Sequence, residues 1–169
     1  LNCQFEPKVN VAAFMNGRQP GSSFKPFVYA TAFQKGYTPD TVVFDLKTEF
    51  NASCTPLGHP REGVDKKECY SPSNYDNKFR GPISLRNALA QSINIPSVKT
   101  LYLAGLDEML KNAKKMGITT LTERSRYGLS LALGGGEVKL IDLVNAYSVF
   151  SQDGLKHKQV FILKIEDNR

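Results

Sequence analysis

The interpretation of this chain rests on one stretch, RQPGSSFKPFVYA at residues 18–30. Its Pro-Gly pair is typical of a turn. The apolar residues that follow recur at helical spacing, so they predict a helix that packs against a core and ends at Gly36. Ser22 or Ser23 is expected to cap the start of that helix.

Within this stretch, Ser22 and Lys25 are three residues apart, which places them on one face of the predicted helix. A serine hydroxyl needs a neighbouring base to act as a nucleophile, and a lysine amine serves only if its pKa is lowered. Because the positive end of the helix favours an oxyanion, the pair suits acyl transfer through a serine ester. From the spacing alone, a capping serine and a surface lysine is the better interpretation, since about one such match is expected by chance.

A second polar motif, Ser92-Ile93-Asn94, falls between two predicted helices. If its backbone is extended, both polar side chains point the same way, and they could relay a proton to a lysine and hold a substrate amide. Standing alone, the tripeptide is better explained as an ordinary polar loop with a helix cap.

The remaining sequence predicts further helices, little strand and one long loop. A composition rich in Pro, Gly, Asn, Ser and Lys indicates a loop at residues 51–80, and so long a loop in a compact domain is usually functional or mobile. A strand or extended segment is predicted at 41–46 and a strand at 160–165. Helices are predicted at 85–91 after the cap Ser84, from Pro96 to Gly105, from Leu106 to Gly117, and from Leu140 to Phe150 before Gly154.

Length and composition limit the possible functions. The chain has 169 residues, 41% of them hydrophobic and 22% charged, which is ordinary for one globular domain. Its net charge of +6 comes from scattered lysines and arginines, so nucleic acid is not an expected partner. No apolar run reaches the length of about eighteen residues that a membrane span needs, and residues 1–6 lack the features of a signal peptide.

Three cysteines, Cys3, Cys54 and Cys69, allow at most one internal disulfide. Cys54 and Cys69 flank one polar loop, where a disulfide in an oxidising compartment and two free thiols are equally good interpretations. The cysteines and two distant histidines, His59 and His157, fit no zinc pattern. We expect neither a metal nor a cofactor.

Four segments, in this order along the chain, resemble class A penicillin-binding proteins. Residues 18–30 resemble the nucleophile segment of that family, and residues 74–82 resemble the segment leading to its second motif. Residues 85–96 resemble the second motif itself, and residues 128–147 resemble a later segment. The resemblance spans roughly residues 10–155, and four ordered segments are far more specific than any one motif.

The resemblance implies a role for each polar residue of the two motifs. Ser22 would be the acylated nucleophile, Lys25 would deprotonate it, and Ser92 would pass the proton on. Asn94 would orient both the donor peptide and Lys25. The backbone N–H of Ser22 would form one side of the oxyanion hole.

The resemblance also implies a reaction and a location. Family members are D,D-transpeptidases that cross-link peptidoglycan stem peptides: the serine attacks a D-Ala-D-Ala bond, the last D-Ala leaves, and the acyl group passes to an amine of a second strand. β-Lactams are covalent inhibitors that trap the same serine. The location implied is the extracytoplasmic face of the bacterial inner membrane, with membrane anchoring only through parts not in this chain.

The sequence departs from the family at its third motif. It contains no Lys-Thr-Gly or Lys-Ser-Gly, which would supply a cation for the substrate carboxylate and the second oxyanion donor; Lys99-Thr100-Leu101 and Lys47-Thr48-Glu49 lack the glycine. Losing one oxyanion donor slows other serine enzymes by roughly a hundred- to a thousandfold, so the chain by itself is expected to be a poor catalyst.

Two further departures concern the extent of the domain. Little sequence before the nucleophile helix could supply the two sheet strands that the family has there, and no glycosyltransferase domain is evident. We therefore expect residues 1–169 to be a partial transpeptidase domain. Its fold class would be α+β in layers, the serine β-lactamase/penicillin-binding transpeptidase fold, mainly its helical part and with part of the antiparallel sheet missing.

Two other classes of function stay open, and a third is not favoured. A D,D-carboxypeptidase or a β-lactamase-like hydrolase would share the motifs, although no deacylating glutamate is evident. A catalytically incomplete fragment could act as a binding or regulatory module. The missing third motif favours this module, whereas the presence of Ser22, Lys25, Ser92 and Asn94 counts against it. A nucleic-acid binder would rest on net charge alone.

Overall fold

The computed structural model describes residues 10, 12, 17–160 and 162–166. Within these ranges the chain is mainly helical and carries one two-stranded antiparallel sheet, as the resemblance implied. Cys3 lies outside the described residues. The helices and strands, in chain order, are α1 (Lys25–Gln34), β1 (Val42–Asp45), β2 (Gly81–Ser84), α2 (Leu85–Ala90), α3 (Asn94–Ala104), α4 (Leu106–Met116) and α5 (Leu140–Ser151). Short 3-10 helices lie at Gly21–Phe24, Lys66–Glu68, Arg124–Arg126 and Leu129–Leu133.

Helix α1 lies at the centre of the hydrophobic core. It packs against α3, α4 and the 3-10 helix Leu129–Leu133. The predicted core residues Phe24, Phe27, Val28 and Thr31 are all at most 1% exposed, which confirms the helical spacing of this segment. Because so much of α1 is buried, a polar side chain on it needs a partner inside the protein.

The predicted serine cap of α1 is wrong. The 3-10 helix Gly21–Phe24 precedes α1 and already contains both serines, so neither takes the extended backbone outside the helix that a capping residue needs. The Ser23 hydroxyl instead donates a hydrogen bond of 2.6 Å to the carbonyl of Pro20. The Ser22 hydroxyl makes no cap bond at the helix start either.

The sheet connects the long loop to the helices. Strand β1 confirms the prediction at 41–46 and pairs antiparallel with β2, so that Asp45 lies opposite Gly81. The Ser84 hydroxyl accepts a hydrogen bond from the Asn87 backbone N–H at 3.3 Å, which confirms the predicted cap of α2. The short β2–α2 connection brings the end of the loop close to the start of α3.

The long loop at residues 51–80 contains one 3-10 helix, Lys66–Glu68, and one isolated antiparallel bridge, between Cys54 and Pro60. A disulfide joins Cys54 to Cys69, so of the two interpretations left open by the sequence the structure contains the disulfide. The bridge closes a loop of about 15 residues, which restricts the unfolded chain more than the folded one.

The other helical predictions are confirmed. Helices α3 and α4 flank Gly105, and Gly117 follows α4 with a φ of 107°, a conformation that favours glycine. Helix α5 covers the predicted segment and ends before Gly154. Among the described residues, no helix has the combination of length and apolar character needed to cross a membrane.

The predicted strand at 160–165 is wrong in its described part. Residues 160 and 162–165 form no strand, and Phe161 lies outside the described residues. Val160, Ile162 and Leu163 are 61%, 66% and 94% exposed. An extended segment is stable as a strand only when a neighbouring strand supplies hydrogen bonds, and none of the described residues pairs with this one.

Candidate active site

The Lys25 side chain is the centre of the candidate site. It is 0% exposed at the start of α1. Its ammonium group donates to the Ser92 carbonyl (2.5 Å), to the Ser92 hydroxyl (3.2 Å) and to the Asn94 Oδ1 (2.8 Å). The fold thus brings three of the four predicted site residues into direct contact, across a sequence separation of 67 to 69 residues.

Burial changes the acid–base character of this lysine. Desolvation lowers the pKa of Lys25 from 10.5 to about 8. A lysine with this pKa is neutral in roughly a tenth of molecules at pH 7, whereas an exposed lysine is almost entirely protonated. The amine can therefore accept a proton near neutral pH, as a base for Ser22 must.

Ser22 lies one helical turn before Lys25, inside the 3-10 helix Gly21–Phe24, and is exposed. No group of the described chain, Lys25 included, holds its hydroxyl in a hydrogen bond. Ser22 and Lys25 therefore differ in the way that nucleophilic catalysis requires. The hydroxyl is open to an incoming substrate, and the amine is withdrawn from water.

The condition of an extended backbone throughout Ser92-Ile93-Asn94 is not met. Ser92 has a φ of 54°, in the left-handed region, Ile93 is extended, and Asn94 begins α3. The left-handed turn directs both the carbonyl and the hydroxyl of Ser92 at the Lys25 ammonium. Such a conformation costs a non-glycine residue about 1–3 kcal/mol, and the contacts with Lys25 offset that cost.

Asn94 is held from two sides. Its Oδ1 accepts from Lys25 at 2.8 Å, and its Nδ2 donates to the Ser73 carbonyl at 3.0 Å. These two contacts fix which end of the amide faces the lysine. One N–H of the Nδ2 group is engaged by Ser73, so the second is available to a substrate carbonyl.

Residues 128–147 support the turn that carries Ser22, and the sequence does not show this support. A Cβ at Gly134 would lie 2.3 Å from the backbone nitrogen of Gly21, so only glycine allows this approach. The Tyr147 hydroxyl donates to the Ser23 carbonyl at 2.6 Å. The ordered resemblance of this segment was the available signal, but it did not show what the segment touches.

The Lys-Thr pair at residues 99–100 does not substitute for a third motif at this site. Lys99 Nζ donates to the Phe44 carbonyl on β1 at 2.7 Å, and the Thr100 hydroxyl donates to the Pro96 carbonyl inside α3 at 2.8 Å. Both groups are therefore committed elsewhere. No Lys-Thr-Gly or Lys-Ser-Gly stands in the sequence to take their place.

Comparison with known proteins gives consistent matches. The family described as "Penicillin binding protein transpeptidase domain" matches residues 4–169. Penicillin-binding protein 2D of Bacillus subtilis is 39% identical over 151 residues, which are 89% of this chain and 20% of that protein. Penicillin-binding protein 1A of Aquifex aeolicus is 40% identical over 150 residues, 89% of this chain and 19% of that protein.

A solved structure is also similar. The crystal structure of penicillin-binding protein 1A from Haemophilus influenzae matches with a TM-score of 0.72 and 30% sequence identity, over 92% of this chain and 22% of that one. The chain thus spans about a fifth of the length of the curated relatives it matches.

Proposed function

Because the chain belongs to the penicillin-binding protein transpeptidase domain family, with class A penicillin-binding proteins as its relatives, we propose that it is the nucleophile-bearing part of a D,D-transpeptidase. In this proposal Ser22 carries the acyl group and Lys25 is its base. Ser92 relays the proton, and Asn94 orients the donor peptide and Lys25.

One observation carries the proposal. A buried amine, held by three acceptors and with its pKa lowered to about 8, lies one helical turn from an exposed hydroxyl that makes no hydrogen bond within the described chain. A capping serine followed by a surface lysine would show the reverse, with the hydroxyl bonded to the helix and the amine in water. Ser22 and Lys25 are therefore not a capping serine and a surface lysine.

The proposed acylation begins when neutral Lys25 takes the proton of the Ser22 hydroxyl as its oxygen attacks the carbonyl carbon of the penultimate D-Ala. The C–O bond forms, and the oxygen of the tetrahedral intermediate is stabilised by the Ser22 backbone N–H. The proton then passes through the Ser92 hydroxyl to the nitrogen of the last D-Ala. The C–N bond breaks, free D-Ala leaves, and the peptide stays on Ser22 as an ester.

Deacylation reverses the roles. The amine of a second stem peptide attacks the ester carbon, and its proton returns through Ser92 and Lys25 to the Ser22 oxygen as the C–O bond breaks. The product is an amide cross-link. A β-lactam would acylate Ser22 by the same first step, but its ring-opened amine stays attached and the ester persists. In this proposal the domain acts on the extracytoplasmic side of the bacterial inner membrane, where its peptidoglycan substrate lies.

The proposal is tested by incubating the full-length gene product with benzylpenicillin and measuring its intact mass. We expect a penicilloyl adduct on the parent and none on Ser22→Ala. Ser23→Ala is the matched control, since Ser23 is the adjacent exposed serine and its hydroxyl bonds only to Pro20; it should be acylated like the parent.

The other outcomes decide between the remaining functions. Acylation of the parent followed by rapid release of hydrolysed penicillin would favour a β-lactamase-like hydrolase. Release of D-Ala from a stem peptide without formation of a cross-link would favour a D,D-carboxypeptidase. A folded parent that forms no adduct would overturn the transpeptidase proposal and leave the binding module.

A further inference from the structure

We propose that Asn74, fixed by the buried carboxylate of Asp45, is a positioning residue: it holds Asn94, and through Asn94 the Lys25 amine, in the geometry that acylation needs. This inference rests on the proposed function, and it assigns a task to the end of the long loop at residues 51–80. Neither Asn74 nor Asp45 belongs to the two motifs that carry the chemistry.

Asn74 caps α3 from a different part of the chain. It is 4% exposed, and its Oδ1 accepts from the backbone N–H groups of Asn94 (3.2 Å) and Ile95 (3.1 Å). Helix α3 starts after Ile93, which has no polar side chain to serve as its own cap. The first N–H groups of a helix need acceptors, and here an asparagine about 20 residues upstream provides them.

Asp45 dictates which way the Asn74 amide faces. The carboxylate is 0% exposed and accepts from Asn74 Nδ2 at 2.7 and 3.0 Å. A carboxylate can only accept, so the amide must turn its nitrogen toward Asp45 and its oxygen toward α3. The Lys78 carbonyl, which accepts from the same nitrogen at 2.7 Å, enforces the same orientation.

The buried charge of Asp45 is itself balanced. Arg80 donates its backbone N–H to Asp45 at 3.0 Å, and its guanidinium lies 3.7 Å from the carboxylate. A buried charge without such partners would be unfavourable, and the carboxylate and its donors form one hydrogen-bonded unit. This unit is built from β1 and the end of the loop, outside the helices that carry Lys25 and Asn94.

The unit controls Asn94 at two points. Asn74 holds the Asn94 backbone N–H, and the neighbouring Ser73 carbonyl accepts from Asn94 Nδ2 at 3.0 Å. With its backbone and its amide nitrogen fixed, Asn94 presents Oδ1 to Lys25 at 2.8 Å. Since the reactive amine needs a defined direction toward Ser22, an error of about 1 Å at this point slows the reaction strongly.

The test measures the second-order rate constant for acylation of the full-length gene product by benzylpenicillin. We expect Asn74→Ala to lower it by about tenfold or more, as loss of a positioning contact does. In an Asn94→Ala background, adding Asn74→Ala should lower the rate less than about twofold, because the residue through which Asn74 acts is then gone.

Asn112→Ala is the matched control for a loss of stability alone. Asn112 is also a buried asparagine, 6% exposed, and its Nδ2 donates to the Thr31 hydroxyl at 2.9 Å, away from Lys25. Removing it should lower the melting temperature as Asn74→Ala does, while the acylation rate stays within about twofold of the parent.

An exchange of partners provides the rescue. Asn74→Asp places a second carboxylate against Asp45 and should be at least as slow as Asn74→Ala. Adding Asp45→Asn restores one donor and one acceptor with their roles exchanged, and an aspartate at position 74 can still accept from the start of α3. The bond to the Lys78 carbonyl is not restored, so the rescue is partial. The double variant should be acylated at least about threefold faster than Asn74→Asp alone.

The outcomes separate this inference from the proposed function. If the folded parent is not acylated, both are overturned. If the parent is acylated and Asn74→Ala is as fast, the positioning role is wrong while the transpeptidase function stands. If Asn74→Ala slows the Asn94→Ala variant as much as it slows the parent, Asn74 does not act through Asn94, and the inference is again wrong.

Discussion

Lys25 and Lys99 each donate to a backbone carbonyl, and of these two lysines only Lys25 has the surroundings of a base. Lys25 donates to the Ser92 carbonyl and to two side-chain oxygens, whereas Lys99 donates to the Phe44 carbonyl at 2.7 Å. Both have pKa values lowered by desolvation. The Lys99 pocket, formed by α3 and β1, therefore serves as an internal reference for the Lys25 pocket.

The difference lies in the neighbours. The negative charge of Asp45 acts on Lys99 and opposes the lowering of its pKa, while at Lys25 no carboxylate of the described residues counteracts desolvation. In addition, Ser22 lies one helical turn from Lys25, whereas the group that Lys99 binds is the carbonyl of Phe44 on β1. A buried lysine becomes a candidate base only under two conditions. Uncharged acceptors must hold it, with no carboxylate to stabilise its protonated form, and a hydroxyl must lie nearby.

The largest expected effect comes from removing Lys25 itself. Lys25→Ala should lower the rate of acylation by benzylpenicillin by about a thousandfold, because the proposed base is removed. Lys99→Ala is the matched control, and it should acylate within about twofold of the parent. The measurement is the time course of adduct formation by intact mass, with circular dichroism to show that both variants are folded. Equal rates for the two variants would mean that burial of Lys25 serves structure and not chemistry.

The next effect concerns the turn that carries Ser22 and leaves both lysines in place. Gly134→Ala puts a Cβ 2.3 Å from the Gly21 nitrogen at a φ of 77°, so we expect the free energy of unfolding to fall by about 2–4 kcal/mol. Gly128→Ala is the control, because its Cβ would have open space and its φ is −131°. Urea unfolding measures both, and equal midpoints would show that Gly134 is not under steric constraint.

A third prediction concerns the pH dependence of the acylation rate. The acylation rate should rise about tenfold per pH unit as the pH increases toward about 8, the pKa of Lys25, and should level off above it. Lys99→Ala should leave this profile unchanged. A profile that is flat between pH 6 and 8 in the parent would contradict the assignment of Lys25 as the base.

The same pKa predicts the pH dependence of stability. The folded pKa of Lys25, about 8, lies below the ordinary value of 10.5, so the unfolded chain binds more protons between these values. The contribution of Lys25 to the free energy of unfolding should therefore rise from pH 8 to 10.5 and be unfavourable below 8. Comparing parent and Lys25→Met by urea unfolding at the two pH values isolates this contribution.

The smallest expected effect is at the outer support of the nucleophile turn. Tyr147→Phe removes the hydroxyl that donates to the Ser23 carbonyl at 2.6 Å, and should lower the free energy of unfolding by about 1 kcal/mol. The ring contact with Phe27, at 5.0 Å between centroids, is kept by phenylalanine. Thermal unfolding checks this value, with Tyr102→Phe, an exposed tyrosine on α3, as the control.

Local sequence signals predicted much of the fold. The apolar spacing of α1, the glycines after α3 and α4, and the cap at Ser84 all act through neighbouring residues, and the structure confirms each of them. The errors have a common cause. The serine caps of α1 and the strand at 160–165 were judged from local pattern, whereas a preceding 3-10 helix and the lack of a partner among the described strands decided them.

The candidate site divides in the same way. The Ser22–Lys25 spacing and the Ser92 and Asn94 residue types can be read directly from the sequence. The left-handed Ser92, its carbonyl as an acceptor for Lys25, and the support from Asn74 involve residues that are 20 to 67 positions apart. No periodicity or short motif encodes contacts over such distances.

By itself, the sequence determined the chemical groups and their local placement: a serine and a lysine one helical turn apart, and a polar tripeptide between two helices. Only the tertiary structure decided that Lys25 is buried, that three acceptors hold it, and that Ser22 is exposed to solvent. The physical reason is that a lysine's pKa depends on burial and on oxygen atoms from distant segments, and folding alone brings these together.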